Sequence, residues 1–164
     1  MFKFFNKKQK SKSDLVLVAP VDGKAIDLSQ VPDPVFAQKL AGDGIAIDIT
    51  GDTIVAPADG TVSLIFQTKH AFGMSLANGV ELLVHIGIDT VSLNGEGFEK
   101  LIEQGASVKA GTPIIKIDRN FILEKGFSLV TPVLITNPDV GSEIILSIDK
   151  DVTAGKDEVV TCKF

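Results

Sequence analysis

Residues Gly79–Val91, GVELLVHIGIDTV, constrain this chain more than any other stretch. Side chains along a β-strand alternate between two faces. Val80, Leu82, Val84, Ile86 and Ile88 then line one face, all aliphatic and mostly β-branched, while Glu81, Leu83, His85, Gly87 and Asp89 line the other. The first set reads as a core face. The second puts an imidazole on a partly polar surface, followed by a glycine and a carboxylate. A chain built around this strand buries one side of a sheet and presents His85 on the other.

The remaining sequence reads as more short strands, broken by Gly, Pro, Asp and Asn. Leu15–Val18, Lys24–Leu28, Ile45–Ile49, Thr53–Val55, Thr61–Gln67, Thr112–Ile117, Leu129–Thr136, Glu143–Ile148 and Glu158–Lys163 carry the pattern. Helical spacing is confined to a turn at Val35–Leu40, to Phe98–Gln104 (Phe98, Leu101 and Ile102 on one side, Gly105 as a stop) and to Arg119–Glu124. Ala19–Leu28, APVDGKAIDL, is echoed by Ala56–Ile65, APADGTVSLI, and more weakly from Thr131-Pro132. Such a short, imperfect repeat suggests a duplicated hairpin module and not a solenoid. Many short strands with one to three short helices predict an all-β sandwich or a partly open barrel.

At 164 residues, one domain with a real core fits, and no compositional break divides residues 14–164. A single cysteine, Cys162, excludes an internal disulfide framework and suits a reducing, cytoplasmic setting. The net charge of −5 argues against a nucleic-acid partner. Charge is uneven, because residues 1–13, MFKFFNKKQKSKS, hold five lysines and no acid. That segment is either a flexible solvated tail or a weak membrane-surface contact through residues 1–12, with Phe2, Phe4 and Phe5 dipping into the interface and lysines meeting anionic lipid.

The chain has two histidines, His70 and His85. If the strands at 61–70 and 79–88 are neighbours, the two imidazoles converge beside Thr68, Gly73 and Gly87. Three chemistries are open to such a pair. A zinc hydrolase would draw on His70, His85 and Asp89, although no His-X-His or His-Glu-X-X-His occurs. A serine hydrolase lacks its Gly-X-Ser-X-Gly elbow. A histidine nucleophile carrying a covalent group needs one imidazole of fixed tautomer, a second donor and open access, and no metal.

Lys69–Gly73 (KHAFG), Gly79–Val91 and Gly95–Phe98 (GEGF), together with Pro32–Phe36 (PDPVF), Gly42–Ile45 (GDGI) and Ala56–Gly60 (APADG), resemble in order the signature of the glucose-type IIA component of the bacterial phosphoenolpyruvate-dependent sugar phosphotransferase system. The resemblance spans roughly residues 15–163. It implies an antiparallel β-sandwich with a duplicated hybrid motif, and a phosphocarrier as the function. It makes His85 the phosphorylated nucleophile, its Nδ1–H held by a backbone carbonyl near Gly87. It gives His70 the phosphoryl oxygens and makes Thr68 the group that orients His70. It sets Asp33 and Asp89 beside a partner, and Phe36, Leu40, Ile45, Phe66 and Leu83 around the docking surface. The implied partners are the phosphocarrier HPr and the IIB domain of a sugar permease. No cofactor is implied, and the implied location is cytoplasmic, with membrane-peripheral contact open. A regulatory module using the same face only as a signal is the binding-class alternative.

Overall fold

The computed structural model describes residues 12–164. The tail at residues 1–13, and the membrane contact read there, therefore fall almost wholly outside the described residues. At its inner end Lys12 lies over the Phe164 ring at 5.8 Å, and Asp14 pairs with Lys163 at 3.4 Å.

The strands, in chain order, are β1 Leu15–Val18, β2 Gly23–Asp27, β3 Asp43–Ile49, β4 Thr53–Val55, β5 Gly60–Ile65, β6 Ala71–Leu76 and β7 Glu81–His85. They continue as β8 Phe98–Lys100, β9 Ser107–Val108, β10 Pro113–Ile117, β11 Val130–Ile135, β12 Glu143–Leu146, β13 Lys150–Val152 and β14 Glu158–Lys163. An eight-stranded sheet runs β13-β2-β3-β11-β7-β6-β5-β9, flanked by β1-β14-β12 and β4-β10-β8. All the pairings are antiparallel. The large sheet ends at β13 and β9 without joining them, so the architecture is a sandwich and not a closed barrel.

Binary alternation places the core. Ile45 and Ile47 of β3, Val62 of β5, Met74 of β6, Leu82 and Val84 of β7 and Val133 of β11 meet Leu17, Val160, Ile54 and Ile114 of the smaller sheets in one cluster. Each such buried aliphatic contributes about 1.5–3 kcal/mol relative to exposure. The opposite face of the large sheet carries a second, smaller cluster. There Ile26, Ala46, Leu83 and Leu134 are roofed by Leu28, Val31, Phe36 and Ile88. Apart from Ile88, that roof is the Leu28–Ala41 loop with its one-turn helix, Pro34–Ala37, and it stands beside His85.

Three local expectations change. Phe98–Gln104 is not helical: Phe98–Lys100 pairs with Ile115–Ile117 of β10, and Leu101 N–H donates to the Ile114 carbonyl at 2.8 Å. An open sheet edge outweighs helical spacing in so short a segment, and Leu101 is left exposed. The strand expected at Thr61–Gln67 stops at Ile65, and an additional strand, β6, lies between it and β7. The organising strand itself ends at His85, and the chain then turns through Gly87 (φ +78°) and Asp89 (φ +61°) into a 3-10 turn at Thr90–Leu93. Ile88 consequently leaves the main core and joins the second cluster. Arg119–Glu124 is a short helix as expected, with Asp118 Oδ1 accepting from Phe121 N–H at 3.1 Å. Cys162 is buried and free, and burial raises its thiol pKa.

Candidate functional site

His85 is the last residue of β7, and Ala71, the first residue of β6, is its cross-strand neighbour. His70 therefore sits one position outside β6, directly beside the end of β7. Ile86 N–H donates to the His70 carbonyl at 2.6 Å and locks the two chain segments together. The residues between Ile65 and Ala71 do not continue a strand, because Lys69 takes φ +59°. The strand expected through residues 61–70 is therefore replaced beyond Ile65 by a tight turn. With β6 between β5 and β7, the segments at 61–70 and 79–88 meet directly at their ends, through the Ile86–His70 hydrogen bond.

The two rings stand nearly perpendicular, at 84°, with centroids 4.9 Å apart. Phe36 packs on the outer side of His85 at 4.9 Å, and Phe66 meets His70 edge-on at 5.3 Å. The result is a row of four rings, with both imidazoles between phenyl walls.

Each imidazole is fixed through Nδ1. His85 Nδ1 lies 2.8 Å from the Gly87 carbonyl oxygen. A carbonyl only accepts, so His85 carries its proton on Nδ1 and keeps an open lone pair on Nε2. His70 Nδ1 lies 2.6 Å from Thr68 Oγ1, a group able to donate or accept. Burial lowers the pKa of His70 to about 4, with the neighbouring His85 adding to the shift. Burial also lowers that of His85, opposed by the Gly87 hydrogen bond and by the carboxylates of Asp33 and Asp89. Both rings are therefore neutral near pH 7, which a pair of nucleophile and hydrogen-bond donor requires.

Asp33 is half-buried, and its Oδ1 caps the Pro34–Ala37 helix by accepting from Val35 N–H at 2.9 Å. Asp89 is exposed in a left-handed conformation at the start of the 3-10 turn. Both act on His85 through charge and not through contact. Among the described residues no group of three or more His, Cys, Asp or Glu is placed to hold a metal ion, so His70, His85 and Asp89 do not form a zinc-ligand set.

The apolar surroundings differ from expectation in part. Leu40 (71% exposed) and Phe66 are open to solvent. Phe36 is buried and forms a wall of the site, not its rim. Ile45 is 0% exposed in the main core, because its position in β3 faces the sandwich interior and not the surface. Leu83 is half-buried in the second cluster and supports the site from beneath. Two exposed apolar residues escaped the sequence reading: Val35, next to Phe36, and Leu64. Simple alternation puts Leu64 on the core side with Val62. An irregularity between them pairs Leu64 with Gly73, the residue facing Leu83, and so turns Leu64 onto the His85 face.

The model of the family described as phosphoenolpyruvate-dependent sugar phosphotransferase system, EIIA 1, matches residues 15–140. The glucose-specific EIIA component of Bacillus anthracis is 44% identical over 144 residues, covering 88% of this chain and 87% of that protein. That of Staphylococcus epidermidis is 40% identical over 158 residues, covering 96% of this chain and 95% of its own. An N-acetylglucosamine-specific EIICBA component of Klebsiella pneumoniae is 46% identical over 140 residues, which are 85% of this chain but 22% of that longer protein. Among solved structures, glucose permease IIA from Mycoplasma capricolum superposes with a TM-score of 0.86 at 36% identity, covering 98% of this chain and 99% of that one. With the family model and full-length relatives agreeing, the chain belongs to the EIIA 1 family of the phosphoenolpyruvate-dependent sugar phosphotransferase system, a family of phosphocarriers.

Proposed function

We propose that His85 accepts a phosphoryl group from phospho-HPr and passes it to the IIB domain of a glucose-type permease. The observation that carries this reading is the perpendicular imidazole pair with both Nδ1 atoms engaged, which leaves both Nε2 atoms for the phosphoryl group. In the accepting step the Nε2 lone pair of His85 forms a bond to phosphorus. The donor's phosphorus–nitrogen bond breaks, and its electron pair returns to the donor imidazole. His70 donates from Nε2–H to a phosphoryl oxygen, so its Nδ1 is unprotonated and Thr68 donates to it. Positioning and charge stabilisation are the main requirements of phosphoryl transfer, and no cofactor is needed beyond the covalent phosphohistidine. A carrier must also release its group, and two neutral imidazoles bind phosphate less firmly than a ring of arginines. The phenyl walls limit water at the phosphohistidine.

The permease side of the reading is supported by the Klebsiella pneumoniae relative, whose name joins the EIIA component to others in one protein. Among the described residues no helix is long and apolar enough to cross a membrane, in keeping with a carrier that meets its permease at the cytoplasmic surface.

The test is incubation with phosphoenolpyruvate, enzyme I and HPr, followed by mass spectrometry under alkaline conditions. The expected product is an acid-labile phosphate on His85, lost entirely in His85→Ala. His70→Gln is expected to take up phosphate but to pass it on poorly. Absence of label on the unsubstituted chain, or normal sugar phosphorylation by His70→Gln, would contradict the corresponding role.

A further inference from the structure

The carbonyl that holds His85 belongs to a residue whose two flanking peptides are both held. Gly87 sits at φ +78°, and a Cβ there would meet Thr90 Cγ2 at 2.7 Å and the Ser128 carbonyl oxygen at 2.8 Å. Its own N–H is taken by a side chain, Thr131 Oγ1, at 3.3 Å. That hydroxyl donates in turn to the Leu129 carbonyl at 3.0 Å. Thr90 Oγ1 donates to the Ile86 carbonyl at 2.5 Å. Ile88 N–H, on the same peptide as the Gly87 carbonyl, donates to the Ser128 carbonyl at 3.0 Å. Both peptides flanking Gly87 are thus tied at their N–H and C=O ends, two of the four ties coming from threonine hydroxyls.

Those two threonines have no other evident reason to be polar. Both are fully buried, where a hydroxyl is costly unless it is hydrogen-bonded. Thr131 stands before Pro132 where the echoing segments have Ala19-Pro20 and Ala56-Pro57, and both of those alanines are also fully buried. An alanine suffices for packing in the other two copies, so the third carries its hydroxyl for what the hydroxyl bonds. The β7–β11 ladder explains the need. It ends at Val133 opposite Val84, and the next residue of β11, Pro132, has no N–H to extend it. Beyond that point the Thr131 side chain replaces the missing backbone partner.

We propose that Thr131, assisted by Thr90, is a positioning residue for phosphoryl transfer: the two hydroxyls fix the Ile86–Gly87 peptide and so the turn at Gly87, which aims the carbonyl of the following peptide to keep the His85 proton on Nδ1 and the Nε2 lone pair free. An imidazole left to itself in water favours the opposite tautomer, with the proton on Nε2, which blocks the attacking atom. The proposal rests on His85 acting as the nucleophile through Nε2.

The test compares Thr131→Val, which keeps shape and removes the hydroxyl, with Thr131→Ser, which restores it. ¹⁵N spectra of the histidine ring give the His85 tautomer, and phosphoryl uptake from phospho-HPr gives the rate. In Thr131→Val the Nε2–H tautomer should rise several-fold, and uptake should fall on the order of tenfold, as when a partner that orients a reactive ligand is removed. Thr131→Ser should recover both. A folded Thr131→Val with an unchanged tautomer overturns the proposal, even if its uptake is slow. If the valine variant does not fold, Thr90→Val takes its place with the same expectations. In the unsubstituted protein the Thr131 hydroxyl proton should be protected from exchange and visible by NMR, and its averaging with water would also overturn the proposal. Failure of the unsubstituted chain to label on His85 removes the transfer reading instead, a result separate from the tautomer comparison.

Discussion

His70 and His85 show how one residue type takes two hydrogen-bonding states when its surroundings differ. His85 is held by a pure acceptor, the Gly87 carbonyl, and so presents a lone pair. His70 is held by a hydroxyl, which permits the tautomer that presents an N–H. Neutrality of both is enforced mainly by burial, and burial has a thermodynamic consequence. The His70 pKa falls from 6.5 to about 4 on folding, so the unfolded chain binds the proton more readily. Stability is therefore unaffected by this group well above pH 6.5 and declines as pH falls from 6.5 towards 4. At pH 5 the loss from His70 alone should be about 2 kcal/mol relative to pH 7.5. Urea unfolding of the unsubstituted chain and of His70→Gln at the two pH values checks this. The glutamine variant should lose about 2 kcal/mol less on acidification, and equal losses would mean that His70 remains protonatable in the folded state.

The organising strand was legible in its aliphatic half and misleading at its end. Val80, Leu82, Val84 and Ile86 reach the core as alternation requires, but alternation has no means of announcing that β7 stops at His85. What ends it is a glycine that sequence alone records only as small. The turn at Gly87 needs a positive φ and space that Thr90 and Ser128 already occupy. Gly87→Ala should therefore cost about 2–3 kcal/mol from strain and overlap and move the carbonyl away from His85. Thermal unfolding and His85 labelling together check it, and an alanine variant of native stability and labelling would show that the turn is tolerant. The same reasoning explains the other misreadings. Phe98–Gln104 has helical spacing, but β10 offers an edge that only tertiary structure creates. Leu64 changes face through an irregularity invisible in the pattern of Thr61–Ile65. Strand β6 carries the alternation of Phe72, Met74 and Leu76, but the interleaved Gly73 and Ser75 resemble loop residues and weaken the strand signal. The convergence of the histidines, conditional in the sequence on neighbouring strands, follows from the register that sets Ala71 opposite His85.

Across the whole molecule, charge is distributed as a carrier needs if its partner supplies the cations. The five basic residues of 1–13 leave residues 14–164 with eleven basic against twenty-one acidic residues. Asp33 and Asp89 place two of those acids near His85. A phosphoryl group arriving there adds roughly two negative charges to an already negative surface. The donor must therefore bring compensating positive charge, and its approach should depend on salt. We predict that phosphoryl uptake from phospho-HPr slows several-fold between about 50 and 500 mM salt, as the screening length contracts from roughly 14 to 4 Å. The double variant Asp33→Asn, Asp89→Asn isolates the local share of that dependence. Asparagine is as good a helix cap as aspartate, so the Val35 N–H keeps its partner while the charge is removed. The measurement belongs at pH 8, where His85, its pKa lowered from 6.5, is neutral with or without the flanking carboxylates. Uptake by the double variant should be slower at low salt and nearly flat with salt, at an unchanged thermal midpoint. If both proteins show the same slope, docking is governed by the exposed apolar residues Leu40 and Phe66 and not by the acids beside His85.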